Sequence, residues 1–172
     1  TEDGIFYYVM EYLPGMNLDE VVRMNGPLPA NRVVYLLKQV CEALAEAHGQ
    51  GLIHRDIKPA NIFSARRGGM YDVAKLLDFG LVRQTGLDAR PGGQDDDFTR
   101  EGSITGSPLY MSPEQALSEV PDERSDIYSL GGVAYYLTTG RPPFLYDNAM
   151  RVILSHARDV PTLPSELNPE VP

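Results

Sequence analysis

The sequence predicts an α+β fold that is mainly helical, and two patterns carry this expectation. Apolar residues recur every three or four positions over 31–48 and 147–157, the spacing of one helix face, and ring most of a third helix over 123–139. Runs rich in β-branched and aromatic residues, bounded by turn residues, occupy 5–13, 61–64 and 73–77 and read as strands. No internal repeat interrupts these elements.

In chain order, Ile5 to Leu13 forms a buried strand stopped by Pro14 and Gly15. Asn17 then caps a short helix. Glu20, three residues on, completes a capping box, and Gly26 ends the helix. Pro27 and Pro29 precede the long helix at 31–48, whose stripe is Val33, Leu36, Leu37, Val40, Leu44 and Ala47. Cys41 lies beside that stripe. It reads as small core packing and not as a nucleophile, since no basic residue adjoins it. Gly49 and Gly51 stop the helix before a polar loop. The strands at 61–64 and 73–77 make a hairpin around the turn residues Arg66, Arg67, Gly68 and Gly69.

Residues 84–104 are rich in Gly, Asp, Thr and Ser without apolar period, which predicts a mobile surface loop of the kind that often carries function. The helix at 123–139 has Ile127, Leu130, Val133, Ala134 and Leu137 around so much of its circumference that burial on most sides is expected. Gly131 and Gly132 in its middle imply close backbone packing, because each costs about 1 kcal/mol in helix propensity. The last helix, 147–157, turns Ala149, Val152, Ile153 and His156 inward.

Bulk properties exclude several classes. At 172 residues the chain suffices for one domain with a core. A net charge of −9 argues against nucleic-acid or anionic-membrane surfaces, which need excess Lys and Arg. A single cysteine excludes an internal disulfide and a cysteine metal site, and fits a reducing compartment. No apolar run approaches the ~18 residues of a membrane span. The chain starts at Thr1 without Met and stops in a Pro-rich stretch, so it reads as a piece of a longer protein.

The chemistry concentrates in His54-Arg55-Asp56-Ile57-Lys58-Pro59-Ala60-Asn61, a polar loop pinned between Leu52, Ile53 and Ile62, Phe63. The carboxylate of Asp56 and the amide of Asn61, five residues apart, suit a base that takes a proton and an amide that helps hold a metal. Asp78-Phe79-Gly80 follows the hairpin directly, and Ser112-Pro113-Glu114 follows the long loop.

These three motifs, in this order, resemble the catalytic loop, the metal loop and the end of the activation segment of eukaryotic-like (Hanks-type) serine/threonine protein kinases. The wording is similar to bacterial members, and the resemblance covers essentially the whole chain. It implies a kinase-like C-terminal lobe. Residues 1–13 would be the last small-lobe strand and hinge, and 14–172 the large lobe without its final helices. It further implies transfer of the ATP γ-phosphoryl group to protein Ser and Thr hydroxyls, with Mg²⁺, or Mn²⁺ in its place, on the ATP phosphates. The domain would be cytoplasmic, in a parent that membrane anchoring elsewhere would not contradict.

The roles that follow are those the resemblance implies. Asp56 would accept the substrate hydroxyl proton, and Lys58 would sit as a point charge near the transferred group. Asn61 and Asp78 would hold the metal through hard oxygen donors. Met10, Glu11 and Leu13 would form the hinge around adenine, with Phe63 below it and Asn17 near the ribose. Phe79 would pack inward and Gly80 permit the turn. His54 would be a packed internal residue, and Asp126 a buried carboxylate accepting backbone N–H groups of the loop. Arg55 would await a phosphate on the activation segment, with Thr99, Ser103 and Thr105 as acceptors of autophosphorylation, which self-association would serve. Ser107 would contact Asp56 and Lys58, and Glu114 would pair with an arginine not found before Pro172.

Blander readings stand beside these. Asp126 would serve as a solvated helix start, Glu114 as a surface residue, and the loop hydroxyls as solubilisers. The chain departs from the family in having no glycine-rich loop, no strand lysine and no helix glutamate. The 172 residues alone are therefore expected to transfer little or no phosphate. A non-catalytic pseudokinase or scaffold is the alternative, and a small-molecule phosphotransferase a more distant one. The intact Asp56, Lys58, Asn61 and Asp78 argue against the scaffold, and the long segment ending in Ser-Pro-Glu favours protein substrates.

Overall fold

The computed structural model describes residues 11–77, 83–84 and 108–172. Helix α1 (Leu18–Asn25) follows a short strand β1 (Gly15–Asn17), and α2 (Ala30–Gly49) is the longest element. Strand β2 (Leu52–Ile53) leads into the polar loop, which closes in a 3-10 turn (Pro59–Asn61). Strands β3 (Ile62–Arg67) and β4 (Met70–Leu76) form the expected hairpin, and β5 (Arg83–Gln84) pairs antiparallel with β2. A 3-10 turn (Pro108–Tyr110), α3 (Pro113–Ala116), α4 (Glu123–Thr139), α5 (Ala149–Arg158) and α6 (Pro164–Leu167) complete the chain.

Local chemistry explains the element ends. Asn17 caps α1 by accepting from the Glu20 N–H at 2.9 Å, while Glu20 accepts from the Asn17 N–H at 3.1 Å. Asp122 caps α4, and Asn148 caps α5 by accepting from Met150 and Arg151. The core joins three helices to the polar loop: Leu18 and Val21 from α1, Leu36 and Val40 from α2, Leu130, Val133 and Leu137 from α4, with Ile57 and Ile62 from the loop and β3. Helices and polar-loop backbone thus share one apolar mass, so the loop is seated by burial as well as by hydrogen bonds.

Several expectations are corrected. Of the strand anticipated over 5–13, only residues 11–13 are described, and they lie in no strand. A short strand that the sequence reading did not anticipate lies at Gly15–Asn17, antiparallel to β3. Gly15 is required there: a Cβ on it would stand 2.1 Å from the Ser64 carbonyl oxygen, at φ 151°. Arg66 and Arg67 belong to β3, leaving Gly68 and Gly69 to make the turn. Cys41 is exposed, because it sits one residue, about 100° of helix, past buried Val40.

Ile127 is 50% exposed for the same reason. The inward stripe of α4 runs through Asp126, Leu130, Val133 and Leu137, so a carboxylate takes the place composition gave to isoleucine. The glycine pair divides. A Cβ on Gly132 would meet the Tyr110 ring at 3.3 Å, whereas one on Gly131 would meet nothing within 4 Å. The loop anticipated at 84–104 lies outside the described residues beyond Gln84.

Candidate active site

The polar loop is held first by its apolar and buried members. Ile53, His54, Ile57 and Ile62 are buried, and the polar residues between them face outward only in part. Arg55 adopts φ 68°, a left-handed conformation disfavoured for a residue with a Cβ. Neighbouring structure must therefore over-determine it.

Asp126, in the first turn of α4, does so. It is 1% exposed. Its Oδ2 accepts the His54 N–H at 2.9 Å and its Oδ1 the Arg55 N–H at 2.8 Å. His48, in the last turn of α2, brings Nε2 to 2.7 Å from the same Oδ2. A carboxylate accepts, so that ring nitrogen donates. One side chain thus collects donors from two consecutive loop residues and from another helix.

His54 is tied to the next segment. The Asp56 N–H can only donate, so His54 Nδ1 accepts it, at 3.3 Å. The Leu77 carbonyl can only accept, so His54 Nε2 carries the hydrogen toward it, at 3.0 Å. The two contacts place a hydrogen on Nε2 and leave Nδ1 as the acceptor. Leu77 also donates its N–H to the Asn61 carbonyl at 2.8 Å. The residue just before Asp78 is therefore gripped on both polar atoms by the loop.

Asp56, Lys58 and Asn61 come together directly. Lys58 Nζ lies 2.7 Å from Asp56 Oδ2. Asn61 Nδ2 donates to that Oδ2 and to the Asp56 carbonyl, both at 2.9 Å. With its two hydrogens spent on Asp56, the amide orientation of Asn61 is fixed and Oδ1 remains as a hard oxygen donor. On Asp56, Oδ2 is held by two donors and Oδ1 accepts from no protein group among the described residues. Asp78, Phe79 and Gly80 lie outside the described residues, and among those described no cluster of three or more His, Cys, Asp or Glu forms a metal site.

A second group forms around β1. Asn17 and Phe63 are register partners of β1 and β3, and Phe63 packs against Gly15. Glu11 is exposed and lies 3.8 Å from Arg67 across solvent, a pair of little energetic weight. Leu13 is half-buried. Met10 lies outside the described residues, as do Thr99, Ser103, Thr105 and Ser107.

Glu114, in α3, has a partner within the described residues: the Ser125 hydroxyl donates to its Oε1. Sequence reasoning passed over three positions here. His48 bonds a residue 78 positions away and carries no local signal. Ser125 lies in the first turn of α4 and belongs to no motif that marks it. Gln115 was legible, since Ser112-x-x-Gln115 is a capping box and both its bonds are present.

Beneath the site, the Tyr136 hydroxyl donates to Asp19 Oδ1 at 2.9 Å, and its ring meets Tyr110 edge-on at 6.3 Å. Burial first, and then the Asp19 carboxylate, push the Tyr136 phenol up to about 12. Burial likewise raises the Tyr110 phenol well above its ordinary value. Both phenols stay neutral and tie α1, α4 and the 108–110 turn together.

With this geometry in place, comparison with known proteins is direct. The family described as "Protein kinase domain" matches residues 1–171. The serine/threonine-protein kinase pkn3 of Myxococcus xanthus is 41% identical over 170 residues, 99% of this chain and 30% of that protein. The serine/threonine-protein kinase PknB of Mycolicibacterium smegmatis is 39% identical over 165 residues, 96% of this chain and 25% of that protein. The serine/threonine-protein kinase Pkn1 of Myxococcus xanthus is 42% identical over 165 residues, 96% of this chain and 22% of that protein. The chain thus spans less than a third of the length of these relatives.

Proposed function

This chain belongs to the protein kinase family, and from that premise we propose that its parent protein transfers the γ-phosphoryl group of ATP to serine and threonine hydroxyls of proteins. The observation that carries the reading is the Asp56 carboxylate. Its Oδ2 is fixed by Lys58 and Asn61, while Oδ1 is left to accept a proton. Asp126 holds the backbone that presents it.

The chemistry follows from that placement. The substrate hydroxyl oxygen forms a bond to the γ-phosphorus as the bond to the β–γ bridging oxygen breaks. The hydroxyl proton goes to Asp56 and ADP leaves. Lys58, already beside Asp56, supplies positive charge where the transferred group collects negative charge. The Asn61 Oδ1 fits a hard divalent cation, and Asp78 is proposed as its companion ligand. Mg²⁺, or Mn²⁺, would neutralise phosphate charge there.

Phe63 and Asn17 are proposed to lie under the adenine and near the ribose, with backbone groups of Glu11 and Leu13 and the side chain of Met10 as the hinge. Phosphorylation of Thr99, Ser103 or Thr105, in trans between copies, is proposed to engage Arg55. Ser107 is proposed to meet the substrate beside Asp56 and Lys58, with Phe79 packing inward. The domain is proposed to act in the cytoplasm, where ATP is supplied. No helix among the described residues is long and apolar enough to cross a membrane. Without a glycine-rich loop or strand lysine in its sequence, the 172-residue segment by itself is proposed to be inactive.

The test is transfer of label from γ-³²P-ATP by the full-length protein. Label on Ser and Thr that depends on Mg²⁺ and disappears with Asp56→Asn supports the reading. Equal labelling by wild type and variant, or none by wild type, would overturn it in favour of a scaffold.

A further inference from the structure

We infer that Gln115 is a positioning residue for Asp56, a clip from α3 onto the peptide bond that precedes the base. The inference rests on the kinase reading of Asp56. Four successive backbone polar groups flank that residue, and each is held by a side chain. The Arg55 N–H donates to Asp126 at 2.8 Å, and the Arg55 carbonyl accepts from Gln115 Nε2 at 3.0 Å. The Asp56 N–H donates to His54, and the Asp56 carbonyl accepts from Asn61. Gln115 is the one member of this set that comes from α3.

The amide of Gln115 has one orientation available. Its Oε1 accepts the N–H and the hydroxyl of buried Ser112, each at 3.1 Å. Nε2 is thereby turned to the Arg55 carbonyl. Neighbouring Glu114 is docked on α4 through Ser125, so α3 is seated between α4 and the loop. Arg55 needs such a grip because its φ of 68° is disfavoured for a residue with a side chain. Release of its carbonyl lets the Arg55–Asp56 peptide rotate, and Asp56 turns with it. The segment that ends in Ser112-Pro113-Glu114-Gln115 thus sets the base through an amide, apart from any charge on Arg55.

The experiment is steady-state phosphorylation of dephosphorylated casein by the full-length protein, comparing wild type with Gln115→Glu and Gln115→Met. Neither variant can donate to the Arg55 carbonyl; Gln115→Glu keeps the size and the acceptors for Ser112, and Gln115→Met is neutral. Both are expected to lower kcat by about tenfold or more while KM for ATP stays within about twofold, the split a positioning role requires. An unchanged kcat in either variant overturns the inference and leaves the kinase reading intact. A rise in KM for ATP matching the fall in kcat also overturns it, since that marks general damage. An inactive wild type removes both.

Discussion

Asp126 gathers three donors at a position shielded from water. Replacing it with alanine strands the N–H groups of His54 and Arg55 and the ring of His48. Each stranded buried donor costs about 1–3 kcal/mol, with less than additive total. Asp126→Ala is expected to lower stability by about 3 kcal/mol or more in denaturant unfolding, and Asp126→Asn by less, since its amide oxygen still accepts. If alanine costs under about 0.5 kcal/mol, the range of an ordinary surface change, the anchoring account fails. The carboxylate itself was legible through its motif. Its third partner was not: His48 reaches it only once α2 and α4 have packed, and no local pattern encodes that approach.

At the scale of elements, the middle of α4 offers a contrast between adjacent residues. Gly131→Ala adds a methyl in open space and should stabilise by up to about 1 kcal/mol through helix propensity. Gly132→Ala presses a methyl to 3.3 Å from the Tyr110 ring and should give no such gain. Thermal melting of the two variants checks the pair; equal gains would contradict the packing described for Tyr110. Asn17→Ala removes the cap of α1 and should cost about 1 kcal/mol. The long helices and the hairpin could be read from periodicity because each repeats its signal over several turns. Strand β1 and helix α3 could not. Each is only a few residues long and owes its form to neighbours: β1 to its pairing with β3, α3 to its seat against α4 and the loop. Ile127 and Cys41 were misjudged because hydrophobicity names candidates for the core, while the helix phase chooses among them.

For the molecule as a whole, His156 and Asp72 are two groups that tie stability to pH. Burial holds His156 below its ordinary 6.5, against the backbone of Pro108 and Leu109, which weighs the other way. Its ring lies against Tyr128 and Phe144. The unfolded chain therefore takes up a proton near 6.5 that the folded chain refuses. Stability falls as pH drops through that value and levels off below the lower folded one. Asp72 is held below its ordinary 3.8, first by the bidentate bond from Arg32, so its contribution is present above 3.8 and is lost as pH falls through its lower folded value. Melting temperature against pH should show the first decline just below 6.5, and His156→Gln should remove part of it; an identical profile in the variant would contradict the assignment. Much of the candidate site was legible because its motifs are contiguous in sequence, whereas the second bonds that hold them, from His48, Gln115 and Ser125, join elements far apart in the chain. The central claim is that Asp56 is the base of a phosphoryl transfer, and single-turnover transfer by full-length Asp56→Asn, with Mg-ATP binding measured on the same preparation, tests it most directly. The transfer rate is predicted to fall about 10²–10⁴-fold while the Kd for Mg-ATP stays within about twofold. A rate equal to that of wild type would contradict it.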